Sequence, residues 1–334
     1  RRILKPWKRS WSLFSEQKLK YGIRQAEKAK SKSAIIPWKI SNALWRNLNK
    51  PLPPLGFGTF HLAKHGFKGN DLQQSRKVLD EAIKAGITLF DTAPIYGFGL
   101  AETILGEHLG NCRDSVIIAT KCGLIAENGR VRHNLSYDSI LRECDASLKR
   151  LNTSYIDLYQ VHWPDPGTPL KDTCKALTRL IDDGRIKHAG VSNFSLPLLR
   201  ETETLLPLYS VQNHFSVLTD SDRKDIIPWC RSNRMQYIAY NVFEQGLLTD
   251  AIGITYRTGK NDLRKLNPLF NDRKAFETAL YHRQHTGCKN AETALEFAFS
   301  NRDISTILIS TTNKEHLHDN ISICSKFRNT AFHS

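Results

Sequence analysis

Four side chains in this sequence are suited to moving a proton beside a buried charge, and each stands at or just past an apolar run. Asp91 follows Ile87-Thr-Leu-Phe and Tyr96 comes five residues later; Lys121 closes Val116-Ile-Ile-Ala-Thr, and His162 closes Ile156-Asp-Leu-Tyr-Gln-Val. A phenol, with an ordinary pKa of about 10, holds its proton too tightly to be an ideal acid near neutrality. A nearby ammonium stabilises the phenolate. A carboxylate beside that ammonium balances its charge, which a partly buried lysine needs. A neutral histidine can hydrogen-bond an oxygen on which negative charge develops. The set could thus deliver a proton to such an oxygen. Singly, each residue has a plainer explanation: a surface aromatic, a helix cap, a solvated lysine, a structural histidine. Their placement at three successive strand ends is what sets them apart.

The elements that must carry them alternate from Leu55 onward. Strands are expected at Leu55–Phe60, Ile87–Thr92, Val116–Lys121, Ile156–His162, His188–Ser192, Ser210–Asn213, Gln236–Asn241 and Thr306–Ser310. Helical spacing marks Asp71–Ala85, Leu100–Leu109, Tyr137–Leu151, Leu170–Asp183, Leu196–Leu205 and Asp222–Asn233 between them. Asp71 is a plausible N-cap, and Gly86 ends the first helix. The interval from Gly246 to Ser300 is too long for one crossover, and is expected to hold a loop at 248–271 and helices near Arg273–His285 and Ala291–Ser300. Eight strands with intervening helices predict a (β/α)8 TIM barrel, which needs about 250 residues. Its reactive groups belong at the C-terminal ends of the strands. Gly56-Phe-Gly58 is not a dinucleotide fingerprint, because no helix opens on it.

The barrel leaves a basic N-terminal extension. Residues 1–50 hold 14 Lys and Arg against Glu16 and Glu27, so they carry +12 of a formal charge of +15, and the rest of the chain is nearly neutral. Pro51-Leu-Pro-Pro marks the boundary, since such a run stops any helix. Serines and Trp7, Trp11, Trp38 and Trp45 among these bases fit a solvated tail, an organelle transit segment, or a contact with an anionic membrane surface or nucleic acid. The chain opens on Arg1 rather than Met, so the expectation is that the true N-terminus is not included. No apolar run approaches 18 residues, and no secretory signal is evident. The seven scattered cysteines, without a C-x-x-C, predict free thiols in a reducing, cytoplasmic setting, and no metal site is expected.

The stretch Asp91-Thr-Ala-Pro-Ile-Tyr-Gly-Phe-Gly-Leu-Ala-Glu resembles the signature of the aldo-keto reductase superfamily, matching at Asp91, Thr92, Ala93, Tyr96, Gly97, Gly99 and Glu102. The resemblance runs from about Leu55 to Asn320. It includes Tyr155-Ile-Asp-Leu-Tyr-Gln-Val-His-Trp-Pro-Asp-Pro, Gly190-Val-Ser-Asn-Phe and Gly246-Leu-Leu-Thr. The His-Trp-Pro-Asp-Pro tail and Asn261-Asp-Leu-Arg look most like bacterial general-stress aldo-keto reductases. It implies an NAD(P)H-dependent enzyme reducing aldehydes or ketones, with Tyr96 as proton donor and Asp91, Lys121 and His162 beside it.

The same resemblance implies a cofactor site. Ser192, Asn193 and Gln212 map to the residues that bind the nicotinamide carboxamide, and Tyr240 to the aromatic that stacks on its ring. Pyrophosphate contacts map to the loop 241–248, including Asn241, Gly246 and Leu247. The segment that meets a 2′-phosphate reads Ser310, Thr311, Thr312, Asn313, Lys314, Glu315, His316 and on to Asn320. Only Lys314 is a permanent cation there, although hydroxyls and a helix N-terminus also bind phosphate. NADP is the cofactor the resemblance implies, and NAD is its rival. A rival function is a nucleotide-binding regulatory subunit resembling potassium-channel β subunits. Which carbonyl is reduced does not follow from the sequence.

Overall fold

A computed structural model describes residues 52–62, 71–127, 130–259, 262–285 and 290–330. The basic extension at 1–50, and most of the loop after residue 62, lie outside them. Among the described residues, ten strands and ten α-helices follow in chain order. They begin β1 (Leu55–Gly58), α1 (Leu72–Lys84), β2 (Leu89–Asp91), α2 (Leu100–Leu109), β3 (Ile117–Cys122), β4 (Leu124–Glu127), β5 (Arg130–His133), α3 (Tyr137–Arg150), β6 (Ile156–Val161) and α4 (Leu170–Asp182). They continue β7 (Ile186–Ser192), α5 (Leu196–Leu205), β8 (Ser210–His214), α6 (Ile226–Ser232), β9 (Gln236–Tyr240), α7 (Pro268–Asn271), α8 (Arg273–His285), α9 (Ala291–Phe299), β10 (Thr306–Ile309) and α10 (Lys314–Thr330). Eight strands close a parallel barrel in the order β1-β10-β9-β8-β7-β6-β3-β2, while β4 and β5 form a separate antiparallel hairpin.

The alternation of side chains along each strand explains why the barrel carries a site. Leu89, Ala119, Leu158, Ile238 and Leu308 pack together as one apolar layer, with Leu52 beside it. Residues two further along a strand share its face, so Asp91, Lys121, Gln160, Tyr240 and Ser310 follow that layer toward the C-terminal mouth. Gly56 has no side chain for the same reason: a Cβ there would meet the Leu308 and Leu89 side chains at 2.7 and 2.9 Å. The alternate members of the strands, such as Phe57, Phe90, Ile118 and Tyr159, face the helices in the larger core.

The helices start where their sequences allow. The Asp71 side chain accepts from the Gln73 N–H and caps α1, a contact whose loss costs about 0.5–2 kcal/mol. The buried stripe of α4, Thr173, Cys174, Ala176, Leu177 and Leu180, lies at helical spacing. Truncating a core leucine such as Leu177 to alanine costs about 2–5 kcal/mol. At Asn290 the side chain bonds Thr293 N while Thr293 Oγ1 bonds back, a reciprocal cap for α9.

Several elements depart from the sequence expectations, among them the short helix α7 inside the loop expected at 248–271. The helix expected over Asp222–Asn233 is a 3₁₀ turn at Ser221–Arg223 followed by α6. Pro228 tolerates only a first turn, so the helix begins after Asp225, whose carboxylate caps Ile226 N. The hairpin β4–β5 has only Leu124 buried, too little pattern to read. The helix α10, after the last strand, enters the sequence expectations only as a helix N-terminus near the phosphate segment, without bounds; it is capped by the Asn313 side chain, which accepts from Glu315 N and His316 N. Among the described residues, no helix is long and apolar enough to cross a membrane.

Candidate active site

At the mouth, β2 and β3 bring Asp91 and Lys121 into contact. Lys121 Nζ donates to Asp91 Oδ1 at 2.6 Å and to the Thr92 carbonyl at 3.0 Å. Both side chains are buried. The Asp91 backbone is fixed in turn, because its carbonyl accepts from Thr59 N at 2.8 Å and Thr59 Oγ1 at 3.0 Å. The Tyr96 ring lies against both other groups. Lys121 Nζ is 5.3 Å from its centroid, and the His162 ring meets it edge-on at 5.8 Å. The structure therefore brings together all four residues singled out for proton chemistry.

Their protonation follows from burial. Burial raises the Tyr96 phenol well above its ordinary value, and the Asp91 carboxylate pushes the same way. From sequence, Lys121 is expected to make this phenol more acidic, but in the protein alone burial and Asp91 dominate. Burial also pushes the Lys121 ammonium down, with Asp91 opposing it. His162 is driven well below 6.5 by burial and, secondarily, by Lys121. It is a neutral donor or acceptor at physiological pH.

Asn193 links His162 to Ser192 and Tyr240. It adopts a left-handed conformation, φ 63°, which turns its amide back across the mouth. Its Nδ2 donates to the His162 carbonyl at 3.0 Å and to Ser192 Oγ at 2.9 Å, and its Oδ1 accepts from Tyr240 OH at 2.7 Å. The Gln212 amide N–H is directed at Asp91 Oδ2, 2.9 Å away, a contact with no sign in the sequence. Tyr240 is stacked on His214 at 5.6 Å with a 29° tilt.

Beyond Tyr240 the chain coils through Asn241 (φ 60°), Glu244 (47°), Gln245 (55°) and Gly246 (98°). A buried carboxylate organises this loop. Glu244 Oε1 accepts from His214 Nε2 at 2.8 Å, Thr219 Oγ1 at 3.0 Å and Ser216 Oγ, while Oε2 accepts from Asn241 Nδ2 at 3.2 Å. Burial opposes its ionisation, but His214 and these hydrogen bonds hold the carboxyl below its usual pKa. Leu247 points away, packed with Ile252 and Phe276. Arg264, paired with Asp262, donates weakly to the Gln245 carbonyl.

The segment after β10 is looser. Ser310 Oγ lies 3.1 Å from His61 Nδ1, and Thr311 Oγ1 accepts from Asn313 N. Lys314 is exposed, with Glu315 4.0 Å away, and His316 is exposed too. Asn320 is buried two turns into α10.

Sequence reasoning missed the roles of Glu102, Glu244 and His214 and of the hairpin. Glu102, the last residue of the matched stretch, does not reach the mouth; its buried carboxylate accepts from Thr120 Oγ1 and Arg150 Nε, each at 2.6 Å, tying α2 to β3 and α3. Glu244 and His214 were readable as polar residues in apolar surroundings. The hairpin supplies Leu124 and Val131, which pack with Trp163 around Tyr96.

Comparison with known proteins places this arrangement. A sequence profile described as the aldo/keto reductase family matches residues 54–331. An aldo-keto reductase of Bacillus subtilis (strain 168) is 36% identical over 218 residues, covering 65% of this chain and 66% of that protein. The chain thus spans just under two thirds of that relative's length. A protein of Escherichia coli (strain K12) named NADH-specific methylglyoxal reductase is 34% identical over 224 residues, 62% of this chain and 69% of that protein. The glycerol dehydrogenase of Gluconobacter oxydans superposes with a TM-score of 0.70 at 28% identity, covering 83% of this chain and 86% of that one.

Proposed function

This chain belongs to the aldo/keto reductase family, and from that premise we propose that it reduces aldehydes or ketones to alcohols with NADPH, Tyr96 supplying the proton. The observation that carries the reading is the buried Asp91–Lys121 pair with the Tyr96 and His162 rings against it.

The residues present fit a dinucleotide. Ser192 and Asn193 offer neutral polar groups for a carboxamide, and Tyr240 an aromatic face. The left-handed turns at 241–246 curl the backbone where a pyrophosphate would lie, with Gly246 at φ 98° and Asn241 and Leu247 beside it. Thr311, ahead of α10, and Lys314, its first residue, suit a phosphate, with Ser310 and His316 flanking them, although the Glu315 and His316 N–H groups are already taken by the Asn313 cap; buried Asn320 fits support of that helix better than direct contact. Bound there, the reduced nicotinamide supplies a hydride to the carbonyl carbon.

This chain's residues do the rest. His162, neutral, hydrogen-bonds the carbonyl oxygen and orients it. Tyr96 holds its proton firmly until that oxygen becomes an alkoxide, a far stronger base than a phenolate. Proton transfer from Tyr96 is then downhill, and the Lys121 ammonium stabilises the phenolate left behind. Asp91 keeps the ammonium in place.

Reduction of a generic aldehyde by the purified chain, followed through nicotinamide absorbance, tests the proposal. Nucleotide binding without turnover would favour a regulatory role of the kind seen in channel β subunits. NADPH is placed before NADH on the family resemblance, with Lys314 the one permanent cation in the segment 310–320; the E. coli relative named for NADH makes the direct comparison of both nucleotides essential. The domain boundary at Pro51 is part of the reading. The Pro53 and Pro54 carbonyls already accept bonds from Thr306 and Ile307 of β10, so a chain starting at Pro51 should melt cooperatively and keep its activity. The extension is proposed to act apart from catalysis, at an anionic surface or in targeting.

A further inference from the structure

The two oxygens of the Asp91 carboxylate are held from different walls of the barrel. Oδ1 accepts from Lys121 Nζ on neighbouring β3, and Oδ2 accepts from Gln212 Nε2 on β8. Round the closed barrel, β8 stands four places from β2 in either direction. The Gln212 bond therefore crosses the mouth between opposite walls. Both partners are buried, so water does not compete for either oxygen. An amide in this position fixes the carboxylate without adding charge, whereas a second cation would compete with Lys121. With Oδ2 tethered, Oδ1 has one orientation, toward the ammonium.

We infer that Gln212 is a positioning residue for the Asp91–Lys121 pair, acting through Asp91. The family resemblance gives this glutamine to the carboxamide; here one N–H of its amide is committed to the carboxylate. The inference rests on the proposed reductase reading, in which Lys121 stabilises the Tyr96 phenolate. The charged and titratable groups facing Lys121 are Asp91, Tyr96, His162 and, through space, Glu102.

Two variants of the full chain separate the roles. Gln212→Glu keeps side-chain length and an oxygen for a carboxamide N–H but sets a second carboxyl against Asp91, so that the two share a proton and Asp91 no longer presents its full charge to Lys121. Gln212→Met removes both the oxygen and the donor to Asp91 and keeps the volume. Both are expected to bind NADPH within about threefold of wild type by fluorescence quenching, while kcat falls about ten- to a hundredfold, the range for a lost hydrogen bond to a charged group. Loss of NADPH affinity at unchanged kcat, or no change in either, overturns the inference. A third readout needs no turnover. With ¹³C-labelled lysine, the Lys121 titration in nucleotide-free Gln212→Met should move downward, because Asp91 no longer holds its charge against the ammonium; an unmoved titration overturns the inference. Absence of wild-type turnover would instead strike the reductase reading and leave this titration to decide. Should Gln212→Met fail to fold, the affinity–kcat split of Gln212→Glu decides.

Discussion

The mouth of the barrel has two ends built on opposite principles. At β2 and β3 the charged pair is buried and committed: Asp91 has two donors, Lys121 two acceptors, and Tyr96 is packed between rings. After β10 the polar groups are solvated and loosely engaged: the Lys314 and Glu315 side chains are 61% and 66% exposed. Buried charges in a low dielectric act strongly on one another and need no rearrangement when a reaction begins. Exposed ones are screened and mobile, and contribute little each. The difference suits a site whose chemistry is fixed while its nucleotide preference is set by a few adjustable contacts.

The comparison is tested hardest at Lys121. Lys121→Met leaves the Asp91 carboxylate buried without its cation, which costs about 3–5 kcal/mol of stability, and it removes the charge proposed to stabilise the Tyr96 phenolate. Chemical denaturation and turnover should both collapse. Full activity with an unshifted pH–rate inflection would make Lys121 a bystander. Tyr96→Phe comes next. The ring stays and only the proton donor goes, so turnover should drop at least about 10²-fold, with nucleotide affinity nearly unchanged. Activity within a few-fold of wild type would remove Tyr96 from the mechanism.

His61 sits on the border, its ring bridging the Gly58 carbonyl and Ser310 Oγ. Burial lowers its pKa to about 4. A base whose folded pKa is depressed stabilises the fold above its unfolded value of 6.5, and that stability is lost as pH falls toward the folded value. Linkage puts the loss at about 2 kcal/mol by about pH 5. Denaturation of wild type and of His61→Gln near neutrality and again at about pH 5 measures it: the variant, which does not titrate, should lose that much less. Equal losses would place the acid sensitivity elsewhere.

How far the sequence reaches differs between the same two ends. The eight barrel strands were legible because apolar runs ending in Asp91, Lys121 and His162 recur at regular intervals, and the four residues proposed to handle the proton follow from those ends. The direction of the Tyr96 shift was not legible, since it depends on burial that only packing reveals. Gln212 was assigned by likeness to a ligand contact; its bond to Asp91 spans 121 residues of chain and leaves no local trace. Glu244 lies in Val242-Phe-Glu-Gln-Gly-Leu-Leu, where one acid among apolar residues was a signal left unread. The extent of α10 was readable too, since Leu317, Ile321, Cys324 and Phe327 fall at helical spacing and pack on the core.

The smallest effect is expected at Lys314, and it bears on which nucleotide is used. A 2′-phosphate carries about −1.5 to −2 charges, and Lys314 is the one permanent cation in the segment 310–320. Its exposure and the nearby Glu315 carboxylate weaken what it can contribute. Lys314→Ala should therefore cost NADPH only about 1 kcal/mol, roughly fivefold, below the usual range for a bond to a charged group. NADH, which lacks the phosphate, should be unaffected. Glu315→Gln should act in the opposite sense and tighten NADPH slightly, because it removes a repelling charge from the first turn of α10. Titration of both nucleotides by protein fluorescence measures all three. Equal weakening of NADPH and NADH in Lys314→Ala would move the lysine to the common part of the dinucleotide. A wild-type preference for NADH would reverse the nucleotide assignment while leaving the buried end of the site as it is.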